Sequence, residues 1–190
     1  MAKKSFKKLF LPLFIIFILV GSTLGVIFGG SSPQQEGQSF DYNGHEIILT
    51  SQGYSFSSRG FDFLLFHNPL DLEAIPSDFV SLEAFTSAQK IYVSVDPSTL
   101  SQDQFLGLQR NIFPLFSVPL LPACPQDSEA CKDFPLKTCQ DASPLTPVLF
   151  LVNASQPQII YRDSCLTLQG DEQSFVQVTE RLALIFAFGN

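Results

Sequence analysis

The sequence contains no tryptophan, one methionine and two histidines among 190 residues, and 15% of its residues are charged. Nucleophilic catalysis requires a general base, and two histidines leave few candidates. The glycines form neither a G-x-G-x-x-G fingerprint nor a P-loop, so nucleotide binding has no support. With 45% hydrophobic residues, the chain is too apolar for wholesale disorder. These absences predict a folded protein that uses no cofactor, and they favour a non-enzymatic role without deciding it.

Basic residues are concentrated at the N-terminus. Lys3, Lys4, Lys7 and Lys8 are four of the 11 basic residues, so seven remain against 18 acidic residues in the segment 29–190, a net charge of −11. Sequence-independent binding to nucleic acid needs clustered Lys and Arg that displace counterions from phosphates. The charge distribution therefore excludes nucleic acid as a partner of this acidic segment.

One long apolar run lies near the start. Residues 9–28 carry no charge, and 15 of these 20 residues are Leu, Ile, Phe or Val. A helix of about 20 residues spans the roughly 30 Å hydrocarbon core of a bilayer. The run predicts a transmembrane helix that anchors the chain in the lipid bilayer, and the basic tail 1–8 is expected to stay in the cytoplasm.

A cleaved signal peptide is the alternative interpretation, because small residues follow the apolar core at Gly21-Ser22 and Gly29-Gly30. Such peptides usually have an apolar region of about 7–15 residues, and this one is longer. We therefore favour a retained anchor in a single-pass protein of the cell membrane. The polar segment 29–39 predicts a flexible linker, followed by an extracytoplasmic domain over 40–190.

The first part of this domain predicts β-structure. Short β-prone runs at 45–50, 54–57 and 61–67 are separated by turns that contain glycine, which is typical of an antiparallel meander of three strands. The next segment, 72–88, fits either a helix or an extended chain, because its aromatic and aliphatic residues allow both spacings. We expect the helix.

The middle of the domain predicts a β-α-β unit. Residues 90–96 form an apolar, β-branched run, and 118–124 form a second. Between them, the sequence from Ser101 to Gln104 has the form of a capping box, and Pro114 marks the end of the helix that follows. The two strands are expected to be parallel.

The last part predicts a β-hairpin and a helix. The runs 147–153 and 158–168 flank a turn at 154–157, and the acidic pair Asp171-Glu172 then opens a helix that ends at Gly189. The apolar residues expected on one face of this helix are Phe175, Val178, Leu182 and Ile185. The fold class is therefore mixed α/β, a β-meander followed by β-α-β and β-β-α, and its skeleton is compatible with a thioredoxin-like topology that lacks the C-x-x-C motif.

The chain has four cysteines, Cys124, Cys131, Cys139 and Cys165, all in the domain expected outside the membrane. An even number in an oxidising compartment predicts two disulfides. Three connectivities exist, and we favour Cys124 with Cys131 and Cys139 with Cys165, because the first pair closes a short loop. The alternative of a zinc site is disfavoured, since the spacings exceed those of paired zinc ligands and no histidine is near in sequence.

Two other features are candidates for chemistry. Asn153-Ala154-Ser155 is an N-glycosylation sequon at a predicted turn. His45 and His67 are the only histidines that a hydrolase could use, although a histidine in a strand is more often structural, so we predict no catalytic residue.

The motifs KIYVSVDP, ACPQDSEACKDFPLKTC and DSCLTLQGDEQSFVQVTERLAL resemble archaeal single-pass membrane proteins of unassigned activity that carry a small cysteine-bearing extracytoplasmic domain. The likeness covers about two thirds of the chain, from Asn43 onward. It implies an exported, disulfide-bonded and membrane-tethered domain, and it supplies no catalytic residues.

The expected function is a non-enzymatic binding or assembly module of the cell envelope, with another envelope protein as a candidate partner. The alternative is an extracytoplasmic thiol-disulfide or chaperone-like factor. A reducible cysteine pair would favour the alternative, because the binding module needs only structural disulfides.

Overall fold

The computed structural model describes residues 38–78, 81–99 and 101–189, and these residues form two β-sheets and three α-helices. The predicted mixed α/β class of the domain is confirmed. The predicted tail 1–8, the predicted membrane span 9–28 and most of the linker 29–39 lie outside the described residues. Within the described ranges, no helix has the length and apolar character needed to cross a bilayer.

The first sheet is an antiparallel meander of four strands in the order β1-β2-β3-β4. The meander was predicted, but with three strands; the additional strand begins at Ser39, which the sequence placed in the linker. Its turns follow the local sequence, since Asn43-Gly44 and Arg59-Gly60 both have positive φ at two successive residues, as tight hairpins require. The strands are β1 (Ser39–Tyr42), β2 (His45–Thr50), β3 (Gly53–Ser58) and β4 (Phe61–Leu65).

The segment after the meander is not the helix predicted over 72–88. The short helix α1 (Pro69–Leu72) ends where that prediction begins, and a 3-10 turn at Leu82–Phe85 follows. Pro76 lies between them and has no N–H to donate to a helix. Its carbonyl instead accepts a bond from the backbone N–H of Ile159 (2.9 Å), which ties this segment to the second sheet.

The second sheet is mixed and has the order β6-β5-β7-β9-β8. The predicted β-α-β unit is confirmed, because β5 and β6 are parallel and α2 (Gln102–Asn111) connects them. The predicted capping box is present at Ser101 and Gln104. The strands are β5 (Ile91–Ser94), β6 (Leu120–Ala123), β7 (Val148–Asn153), β8 (Gln158–Arg162) and β9 (Cys165–Gly170).

The predicted hairpin between 147–153 and 158–168 is wrong. The second run is divided into β8 and β9 by a turn at Asp163-Ser164, where both residues have positive φ. These two strands pair with each other, and β9 lies between β7 and β8, parallel to β7. Three strands therefore follow β6, rather than the simple hairpin of the expected skeleton.

The C-terminal helix α3 (Phe175–Phe188) packs into one hydrophobic core that includes residues of both sheets. Of its four predicted core residues, Phe175, Val178 and Leu182 are buried and Ile185 is half-buried. At the end of α3, Phe188 contacts Tyr42 and Phe56 of the meander, with ring centroids 5.8 and 4.7 Å apart. The helix thereby connects the two sheets.

Candidate functional site

One side of α3 lines a cavity of about 300 Å³. Arg181, Leu184 and Phe188 recur at helical spacing, so they form one stripe about 10 Å long. The opposite wall consists of the β1–β2 turn and the chain just before residue 79. The lining residues are Tyr42, Asn43, Ser77, Asp78, Arg181, Leu184, Ile185, Phe188 and Gly189.

Arg181 supplies the positive charge of this cavity. Its NH1 group donates a long hydrogen bond of 3.4 Å to the hydroxyl oxygen of Tyr42. Its Nε is buried and has no hydrogen-bond partner among the described residues. No carboxylate of those residues lies within 4.0 Å of the guanidinium. A guanidinium has five N–H donors, and among the described residues only Tyr42 accepts a hydrogen bond from the terminal nitrogens of Arg181.

Tyr42 fixes the position of the guanidinium. Its side chain is buried, with 3% of the residue exposed. Burial raises the pKa of the Tyr42 hydroxyl, and a hydrogen bond from that hydroxyl to Glu73 raises it further, against the opposing effect of Arg181. The phenol is therefore neutral at physiological pH and serves as a hydrogen-bonding group between Glu73 and Arg181.

Asp78 supplies a negative charge to the same cavity. Its backbone N–H donates to the Ile159 carbonyl (2.9 Å), and its Oδ2 accepts from the backbone N–H of Tyr161 (3.2 Å). These bonds hold the carboxylate against the edge strand β8. Asp78 and Arg181 line one cavity but form no ion pair with each other.

A second cluster lies on a different side of α3, around the fully buried side chain of Glu180. The two oxygens of this carboxylate accept hydrogen bonds from the backbone N–H groups of Phe66 (2.7 Å) and His67 (3.2 Å). One of them also lies 2.8 Å from Nδ1 of His67, whose side chain is 37% exposed. The pair joins the end of the meander to α3.

The structure does not bring the two predicted histidines together with a nucleophile. The ring of His45 stacks on Phe188 at 4.2 Å, whereas His67 is paired with Glu180. In the described part of the chain, no Ser, Thr or Cys side chain forms a hydrogen bond with either histidine ring. His67 and Glu180 are oriented like a catalytic base and its carboxylate. Because Glu180 also accepts hydrogen bonds from two backbone N–H groups at the end of the meander, we assign the pair a structural role.

The four cysteines form the two disulfides that the sequence analysis favoured, Cys124 with Cys131 and Cys139 with Cys165. Their Cα atoms are 5.9 and 5.2 Å apart. The second disulfide attaches the irregular segment after β6 to the first residue of β9. With all four sulfurs in disulfides, none is a thiolate ligand for zinc.

Asn153, the predicted glycosylation site, is the exposed last residue of β7. The neighbouring Ala154 donates its backbone N–H to the Gly170 carbonyl at 3.2 Å. The amide side chain of Asn153 is thus accessible at the end of a strand, and its glycosylation stays a prediction.

Comparison with known proteins found no matching family model, no matching curated protein and no matching solved structure.

Sequence reasoning missed the three polar residues of this cavity. Tyr42 preceded the first strand that was predicted, Asp78 fell in the segment expected to be a helix, and Arg181 was assigned no role. One signal was present in the pattern. Arg181 lies three and seven residues before Leu184 and Phe188, so it shares their helix face.

Proposed function

We propose that this protein is a membrane-anchored, extracytoplasmic and non-enzymatic binding module of the cell envelope, and that its ligand occupies the Arg181 cavity. The observation that carries the proposal is a guanidinium in a cavity of about 300 Å³ whose terminal nitrogens make a single long hydrogen bond, to Tyr42, among the described residues. Ligand sites use oriented polar groups to fix a ligand, and this cavity presents such groups from Tyr42, Asp78 and Arg181 beside the apolar side chains of α3.

The disulfides support the location outside the cytoplasm. Structural disulfides persist in oxidising compartments and are rare in the reducing cytosol. The anchor 9–28 and the lysines of the tail 1–8 support the same orientation, with the lipid bilayer as the partner of the anchor.

A thiol-disulfide or chaperone-like factor is the second candidate, and one observation favours it. Cys139 is only half-buried, whereas its partner Cys165 is 3% exposed, so a reductant can reach one side of this bond. If the second function holds, the glutathione buffer of a redox titration will reduce this pair at potentials well above about −300 mV. A purely structural disulfide will resist reduction under the same conditions.

The binding function can be tested on the full-length chain extracted from its own membranes. Native mass spectrometry of the wild type is expected to detect a bound small molecule, which Arg181→Gln loses because the substitution removes the guanidinium. Arg162→Gln is the matched control, since Arg162 is an exposed arginine at the end of β8, outside the cavity. A wild type without an adduct, or an adduct retained in Arg181→Gln, would contradict the proposal.

The orientation can be tested separately with single cysteines added to the wild-type chain, because its four native cysteines are in disulfides and do not react with a maleimide. A membrane-impermeant maleimide is expected to label Ser31→Cys in intact cells and to leave Ser5→Cys unlabelled until the cells are lysed. The reverse pattern, or release of the chain by alkaline carbonate, would refute the anchored orientation.

A further inference from the structure

The arrangement of opposite charges in the Arg181 cavity restricts the chemistry of its ligand, if the cavity is the binding site proposed above. We infer that the ligand is a small zwitterion of the amino-acid type, with an apolar side chain. Its carboxylate would bind Arg181, its ammonium group would face Asp78, and its apolar part would lie along α3.

The carboxylate end follows from the geometry of Arg181. A guanidinium and a carboxylate match each other through two parallel N–H to oxygen bonds. Tyr42 uses one long bond of 3.4 Å, and Nε has no partner in the described part of the chain. Because Nε is buried, a ligand carboxylate would accept from the two terminal nitrogens of the guanidinium, of which the bond to Tyr42 uses one N–H.

The ammonium end follows from Asp78. Its Oδ2 accepts a single backbone bond of 3.2 Å, and an ionised carboxylate can accept several more. Asp78 also disfavours a ligand that carries negative charge alone, because a second anion in this cavity would be repelled.

The apolar part follows from α3. Leu184 and Phe188 extend the wall away from Arg181, with the half-buried Ile185 beside them. The cavity volume is at the lower end of the range for ligand pockets, about 300–1,000 Å³, so the ligand is a single small molecule. An aliphatic or aromatic side chain on the zwitterion would cover this wall.

Isothermal titration of the full-length protein in detergent tests the charge pattern with four probes. Leucine and phenylalanine carry both charges, hexanoate carries only the carboxylate, and hexylamine carries only the ammonium group. The two zwitterions are expected to bind at least ten times more tightly than either singly charged probe, because each of those leaves one charge of the cavity unpaired.

Two substitutions test the binding of the carboxylate and of the ammonium group separately. Arg181→Gln is expected to weaken leucine binding at least tenfold, and Asp78→Asn is expected to do so while improving the relative affinity for hexanoate. The asparagine can still accept the bond from Tyr161, so the loop is expected to keep its position. Arg162→Gln serves again as the control and should bind leucine like the wild type.

The outcomes separate this inference from the binding function. If hexanoate binds as tightly as leucine, or if Asp78→Asn leaves the selectivity unchanged, the ligand is not a zwitterion. If none of the probes binds but the native adduct depends on Arg181, the zwitterion is wrong and the binding function stands. If none binds and no native adduct is found, both fail.

Discussion

The two sheets of the domain are stabilised in different ways. In the meander, only Ile47 of the six residues of β2 is buried, and Ile48 and Leu49 are 41% and 37% exposed. In the second sheet, Leu149 of β7 and Leu166 of β9 are completely buried. This difference is expected of an antiparallel sheet with a solvated face and a largely parallel sheet that is covered on both faces.

The stabilising contacts also differ in their range along the sequence. The meander depends on tight turns and on strands that follow each other directly. The second sheet depends on distant pairings and on two disulfides, one of which joins residues 26 positions apart. The largest single perturbation is therefore expected in the second sheet, and perturbations of the meander should depend on local backbone geometry.

The largest effect is expected from the longer disulfide. In the loop-closure model, the pair Cys139→Ser and Cys165→Ser lowers the free energy of unfolding by about 3.5 kcal/mol, because the cysteines are 26 positions apart. The pair Cys124→Ser and Cys131→Ser should lower it by about 2.4 kcal/mol, since these cysteines are only seven positions apart. Denaturant unfolding of both variants measures the two values. Equal losses would refute the role of loop length.

The next largest effect is expected at one turn of the meander. A Cβ on Gly53, which has φ +140°, would lie 2.2 Å from the Leu65 carbonyl oxygen. Gly53→Ala must therefore displace backbone, and we expect it to cost about 3 kcal/mol. Gly44 also has positive φ but has open space around its Cβ position, so Gly44→Ala should cost about 1 kcal/mol. Thermal unfolding distinguishes the two, and a Gly53→Ala variant as stable as Gly44→Ala would contradict this account.

A smaller effect is expected where the meander meets α3. Glu180→Gln keeps the size of the side chain but replaces one acceptor oxygen with an NH₂ group that cannot accept from Phe66 or His67, so it should cost about 2 kcal/mol. His67→Ala leaves both backbone bonds in place and should cost about 1 kcal/mol or less. Denaturant midpoints of the two variants test this order. A more damaging His67→Ala would mean that the side-chain contact of His67 with Glu180, and not the backbone bonds, stabilises this junction.

The smallest expected effects are changes of stability with pH. Acid and alkaline conditions should act on different parts of the domain. Hydrogen bonds from Ser98 and Ser174 lower the pKa values of Asp96 and Asp171, both outside the meander. A lowered folded pKa gives stability that is present above the unfolded value of about 3.9 and is lost as the pH falls through the folded value. Acid sensitivity should therefore decrease in Asp96→Asn. If the stability of this variant depends on acidic pH as that of the wild type does, Asp96 does not contribute to the acid sensitivity.

Alkaline sensitivity should instead come from the meander. Burial raises the pKa of Tyr42, so its contribution is complete below the unfolded value of about 10 and is lost as the pH rises through the folded value. The stability of Tyr42→Phe should therefore depend less on pH above about 10 than that of the wild type. Equal alkaline profiles would contradict this interpretation.

The contrast between local contacts in the meander and distant pairings in the second sheet also explains which parts of the fold could be predicted from the sequence. The meander turns and the capping box at Ser101 are encoded within a few residues, and both were predicted. The place of β9 between β7 and β8 was not, because Asp163-Ser164 lacks the glycine that usually marks a hairpin, and because pairing between distant strands has no local signal. Pro76 argued against the helix predicted over 72–88, because proline has no N–H to donate. The spacing of the apolar residues was given more weight, and the prediction was wrong.

The cavity could not be predicted for a similar reason. Tyr42, Asp78 and Arg181 are far apart in sequence, and only the packing of α3 against both sheets brings them together. Each is unremarkable in its local context, as a strand end, a loop acid or a helix arginine. The disulfide pairing could be favoured in advance because four cysteines allow only three connectivities.

The measurement that tests the account most directly is a thiol count on the full-length chain in its own cells, alkylated before lysis and analysed by mass spectrometry. The account predicts that none of the four cysteines is alkylated, because the domain lies in an oxidising space. Alkylation of all four would mean that the domain remains in a reducing compartment, and it would contradict the exported, membrane-anchored binding module.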